Sequence, residues 1–129
     1  MVAPAPHGDM RAYMASLQRM MQLDVRLMLP GHGPPVATAQ AVMARTLVQR
    51  QTRERQIAAA LGAQPQTVDE LMALIYADVA PRTRPWARLS LLAHLEKLVG
   101  DGVSVQSAQG FALRAPGLAP PTVGFGHEP

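Results

Sequence analysis

Cysteine is absent from the 129 residues of this chain, lysine occurs once, and phenylalanine, tyrosine and tryptophan together supply only five side chains. Without cysteine there can be no disulfide, no thiolate nucleophile and no cysteine-based zinc site, so His, Asp and Glu are the strong metal ligands that remain. No apolar run approaches the roughly 20 residues that a membrane helix needs, and no membrane partner is expected. The first ten residues, MVAPAPHGDM, have neither a basic n-region nor a long apolar h-region. A cleaved secretion signal is therefore not expected, and the cytoplasm is the expected location. The net charge of +3 rests on eleven Arg and one Lys, a surplus that permits nucleic-acid contact without demanding it. So strong a preference for Arg over Lys points to genomic base composition more than to selection for phosphate binding.

What is present reads first as helix. In GDMRAYMASLQRMMQLD the apolar positions Met10, Tyr13, Met14, Leu17, Met20 and Met21 recur at spacings of three and four, and Asp9 can cap the first turn. VRLML is a short β-like run, stopped by PGHGPP. A long helix is expected from an N-cap at Thr38 to about Leu61. Its middle, QRQTRERQ, is polar on every side, which suits a helix bridging two lobes better than one buried in a core. Thr67 and Glu70 form a capping box ahead of Leu71, Met72, Leu74 and Ile75. After the linker VAPRTRP, a further helix carries the stripe Leu91, Leu92, Leu95, Leu98 and Val99, with Gly100 or Gly102 as its stop. Two alternating runs flanking SAQG read as a β-hairpin. Three helices followed by a hairpin is the layout of a winged helix. The Pro- and Gly-rich end, PGLAPPTVGFGHEP, is expected to be disordered.

Five strings, VAPAPHGDMRAYMASLQRM, LDVRLMLPGHGPP, RTLVQRQTRERQIAAAL, TVDELMALIYADV and SLLAHLEKLVGDG, stand in this order between residue 2 and residue 102. Together they resemble the C-terminal part of metallo-β-lactamase-fold hydrolases that carry a winged-helix extension. The resemblance runs to about residue 115 and implies a mainly α chain. Residues 1–36 would be a helix–strand remnant of the αββα metallo-β-lactamase fold. Residues 37–115 would be a winged helix, three helices plus a short hairpin, including its long linking helix, and 116–129 the tail. In that family the histidine of the PGHG loop is a zinc ligand, and His32 occupies that position. The family often has an acidic residue where this chain has His7. Its HxHxDH loop, further histidine and bridging aspartate have no counterpart here. His7, His32, His94 and His127 are the only histidines, and no two are two or four residues apart.

Zinc normally takes three or four protein ligands, and a bound zinc lowers the pKa of water from about 15.7 to about 7. The complete enzyme is thus expected to use zinc to hydrolyse an ester, thioester or phosphodiester, while this chain alone holds no metal and has no catalytic residue. His94, beside the apolar stripe, is expected on the surface or half-buried. Two arginine groups, Arg45, Arg50, Arg53 and Arg55, then Arg82, Arg84 and Arg88, offer a second reading. Of these, Arg50, Arg53, Arg55, Arg84 and Arg88 are the candidates for phosphate contact in a winged-helix nucleic-acid binder. Against that reading, SAQG carries no cation, Glu96 and Asp101 put negative charge on the would-be recognition helix, and Glu54 can pair with Arg50 locally. The methionines at 10, 14, 20, 21 and 28 would be exposed if the sandwich they once lined were missing, favouring self-association or docking to a separate hydrolase part. The chain would then be a short or truncated piece of the enzyme, or an interaction module that completes it.

Overall fold

Asp9 starts the first helix as expected, its carboxylate accepting from the Ala12 amide at 2.9 Å. The computed structural model describes residues 1–115, so the expected disordered tail lies outside the described residues. Helix α1 spans Met10–Met21. After it the chain is irregular, and the run VRLML makes one bridge rather than a strand, Met28 pairing with Val36. A strand needs a ladder of paired neighbours, and this segment pairs at the single Met28–Val36 bridge. Helix α2 spans Ala39–Ala60, about 33 Å at 1.5 Å per residue. Thr38 stands at its N-cap, but its side chain makes no capping hydrogen bond.

Helix α3, Val68–Ile75, begins at the Thr67–Glu70 capping box, in which Thr67 accepts from the Glu70 amide and Glu70 accepts from the Thr67 amide. The expected linker holds one 3₁₀ turn, Pro81–Thr83, and leads into α4, Arg84–Gly100. Pro85 sits at the start of α4, where a missing N–H costs nothing. Gly102, at φ +74°, ends the helix, and the Val103 amide turns back to the Leu98 carbonyl. Strands β1, Ser104–Ser107, and β2, Gly110–Leu113, pair antiparallel with Val105 opposite Ala112. Residues 62–66 lie along β2: Gln66 and Phe111 exchange both backbone hydrogen bonds, and the Leu113 amide donates to the Gly62 carbonyl. The wing is thereby stitched to the start of α3.

Two apolar clusters hold these elements together. Ile57, Leu61, Leu71, Tyr76, Leu91, Leu95, Leu98 and Phe111 form the core of the three-helix unit and its wing. Val2, Met10, Met14 and Leu17 pack on Ala39, Met43 and Leu47 of α2 and on Ala93 of α4. Helix α2 contributes to both, so its polar middle does join two apolar regions. The methionine expectation needs correcting: Met10 and Met14 are buried under α2, and Met20 is the exposed one. Truncating a buried side chain of this size to Ala generally costs about 2–5 kcal/mol.

Helix α4 is also more enclosed than its stripe suggests. Leu91, Ala93, His94 and Leu95 are all buried, because α1, α2, α3 and the wing surround it. At 100° per residue, Ala93, Glu96, Lys97 and Gly100 lie opposite the core-facing Leu91, Leu95 and Leu98. That outer face is met by the N-terminal segment: the Ala5 amide donates to Glu96 at 2.9 Å, and Arg11 pairs with Asp101.

Candidate functional site

His32 lies in the loop that the Met28–Val36 bridge closes, through amide-to-carbonyl hydrogen bonds of 3.0 and 2.9 Å. Pro30, Pro34 and Pro35 stiffen the loop, and Gly33 at φ +96° supplies the turn that a side chain would disfavour. The imidazole is exposed. No group of three or more His, Asp and Glu side chains that could hold a metal ion occurs among the described residues. Zinc normally takes three or four protein ligands, and His32 offers one imidazole to such a set. His7 is exposed in the N-terminal turn, and His127 lies outside the described residues.

His94 departs from its expected place on the surface or half-buried. It is fully buried, and its Nδ1 lies 3.4 Å from the Glu54 carboxylate on α2. Lys97, one turn further along α4, donates to the same carboxylate at 2.7 Å and to Asp101 at 2.6 Å. Glu54 is therefore committed across the α2–α4 interface, and the local pairing with Arg50 does not form. Burial pushes the Glu54 carboxyl up, but hydrogen bonds from His94 and Lys97 outweigh it and hold the group below its ordinary range. For Lys97 burial pulls downward, and Asp101 with Glu54 reverses it, so its pKa ends above the ordinary value. The His94 Nε2 is buried with no hydrogen-bond partner among the described residues.

The structure separates the five nominated arginines. Arg50 and Arg53 line one cleft of about 650 Å³ between α2, the end of α3 and the start of α4. There the Arg53 guanidinium lies 4.3 Å from the Tyr76 ring centroid and donates to the Ile75 carbonyl at 3.2 Å. Arg50 stands 5.9 Å from the Tyr13 ring centroid. Arg84 and Arg88 line a second groove, about 490 Å³, between α3 and α4, where Arg88 is paired with Asp69. Arg55 is exposed elsewhere on α2 and donates to Thr52 at 3.0 Å. They do not form one continuous cationic stripe.

Residues 67–111 match the family described as the beta-lactamase associated winged helix domain, and these residues hold α3, α4 and most of the wing. They resemble a β-lactamase-associated winged helix. Around that winged helix, the likeness extends to longer proteins. The chain is 26% identical over 99 residues to the Bacillus subtilis (strain 168) protein named "Probable metallo-hydrolase YqjP", covering 73% of this chain and 31% of that one. It is 34% identical over 101 residues to the Caenorhabditis elegans "Beta-lactamase-like protein 2 homolog", covering 74% and 32%. Among solved structures, a metallo-beta-lactamase family protein from Thermus thermophilus superposes with a TM-score of 0.66 at 25% identity, over 81% of this chain and 33% of that one. A Beta-lactamase domain protein from Burkholderia ambifaria superposes with the same TM-score, 0.66, at 22% identity over 78% and 32%, a likeness of fold. The chain thus spans about a third of the length of the relatives it matches. No helix among the described residues is long and apolar enough to cross a membrane.

Proposed function

We propose that these 129 residues supply the PGHG loop and the winged helix of a zinc-dependent metallo-β-lactamase-fold hydrolase. In this reading His32 is one ligand of a metal whose remaining ligands come from outside the described residues. The chain alone neither holds zinc tightly nor hydrolyses an ester, thioester or phosphodiester. The observation that carries the reading is the pairing of a winged-helix likeness with an exposed, loop-borne imidazole that has no companion ligands among the described residues. What this chain's own residues do is mechanical. The bridge between Met28 and Val36, with the three prolines of the loop, presents the imidazole in a restricted position, and α1 fixes that loop's origin against α2 and α4.

The alternative, a winged helix that reads nucleic acid, finds less support. The face of α4 opposite the core, which would have to enter a groove, carries the carboxylate of Glu96 and is contacted by Ala5 at Glu96 and by Arg11 at Asp101. Zinc content of the purified chain, measured together with hydrolysis of a generic ester, tests the proposal. Substoichiometric, easily dialysed zinc and no turnover are expected. Tightly held zinc at one per chain, or turnover abolished by a chelator, would overturn it. A salt-dependent mobility shift with duplex DNA would promote the alternative.

A further inference from the structure

The 650 Å³ cleft that Arg50 and Arg53 line is unlike the rest of the surface, and its size is in the range of small-molecule sites. Trp86, the only tryptophan in the sequence, stands at its edge with 56% of its surface exposed. An exposed indole at the rim of a cleft is a flat apolar face available for stacking. The lining adds amide and hydroxyl groups from Gln49, Gln56, Thr52 and Ser90, and it contains two guanidinium groups with no carboxylate. The nearest acid on α2, Glu54, is bound to His94 and Lys97 of α4 and does not neutralise them. Arg53 is occupied by Tyr76 and the Ile75 carbonyl. Arg50 is less committed: its guanidinium stands 5.9 Å from the Tyr13 ring centroid, and its buried Nε has no hydrogen-bond partner among the described residues. A guanidinium that lines a cleft without a carboxylate is available to an anion entering it, through charge-assisted hydrogen bonds.

We propose that this cleft binds a nucleotide unit, its base stacked on Trp86 and its phosphate held by Arg50. The same chemistry is offered by a free mononucleotide and by one residue of a single strand, since stacking on an aromatic face tolerates any base. The site is independent of the metal and of the hydrolase reading.

Trp86 is its own reporter, because its fluorescence is the only indole signal of the chain. Absorbance-corrected quenching is titrated with AMP, adenosine, inorganic phosphate and a short single-stranded oligoadenylate. Saturable quenching by AMP that exceeds that by adenosine is expected, weakened about tenfold in Arg50→Gln with unchanged circular dichroism. If the oligoadenylate alone quenches saturably, with the same loss in Arg50→Gln, a strand is the source of the nucleotide. Trp86→Phe, followed by calorimetry, should weaken binding about tenfold and decides the matter if Arg50→Gln does not fold. Absence of saturable quenching by both AMP and the oligoadenylate, equal binding of adenosine and AMP, or unaltered affinity in the variant would overturn the proposal.

Discussion

Glu54 accepts from two side chains of the neighbouring helix, and its neighbour Lys97 passes the charge on to Asp101, which in turn meets Arg11 of α1. Three helices are joined through one partly buried ionic chain. Because the Glu54 pKa is lowered from 4.5, the folded state prefers the ionised carboxylate. Its contribution to stability is complete above about pH 4.5, and it is lost as the pH falls through the lower folded value. Lys97 has the opposite sign: its raised pKa means a contribution present below 10.5 and lost as the pH rises through the folded value. Glu54→Gln is expected to lower stability at pH 7 by about 1–2 kcal/mol, less than for a fully dry pair because water still reaches the carboxylate. In urea midpoints the gap between wild type and variant should stay constant from pH 7 to about pH 5 and shrink below 4.5. A gap that ignores pH would remove Glu54 from this role. None of this was legible in the sequence, since His94 and Lys97 find their acid 40 and 43 residues away and local spacing pointed to Arg50 instead.

At the scale of elements, the wing depends on one backbone approach. Gly110 has φ +132°, and a Cβ there would stand 2.2 Å from the Gln66 carbonyl oxygen, inside any allowed contact. Gly110→Ala therefore combines left-handed backbone strain with a clash against backbone that is fixed by two hydrogen bonds to Phe111. A loss of about 3 kcal/mol is expected, read as a lower thermal midpoint, with amide exchange rising first in residues 104–113. Unchanged protection in the wing would show that the Gln66–Phe111 pairing is not needed to hold it. Starts of elements were legible where one residue carries the signal: Asp9, the Thr67–Glu70 box and the SAQG turn each act within four residues. Pairing between distant segments was not. Nothing in Gly62–Gln66 announces that it will lie along β2, and Thr38 has the right chemistry for a cap yet makes no bond. VRLML has strand-like residues, but strands are decided by neighbours that a local pattern does not contain.

The whole molecule is organised by α2 and α4, each of which serves both apolar clusters. Every buried member of the winged-helix core comes from Ile57 onward, whereas the second cluster needs α1 to cover Ala39, Met43, Leu47 and Ala93. Helix α1 could be read from its own periodicity, but its docking could not, because the apolar face of α2 is diluted by arginines that reach over Tyr13 and Tyr76. Of the proposed metal site the sequence offers His32 alone, whose loop chemistry is local; in that reading the other ligands come from outside the described residues. This division of the core has a testable consequence. Met10→Ala should cost about 3 kcal/mol, since Met10 is fully buried beneath α2. Removing residues 1–37 altogether should leave the winged-helix core assembled while uncovering Met43 and Leu47. The shortened chain is then expected to keep the near-ultraviolet signature of Tyr76 and most of its helical circular dichroism, and to self-associate in sedimentation at concentrations where the intact chain does not, because an apolar strip of α2 meets water. A shortened chain that loses its near-ultraviolet signature would mean that the two clusters fold as one, with α1 a structural requirement of the winged helix rather than a cover laid across it.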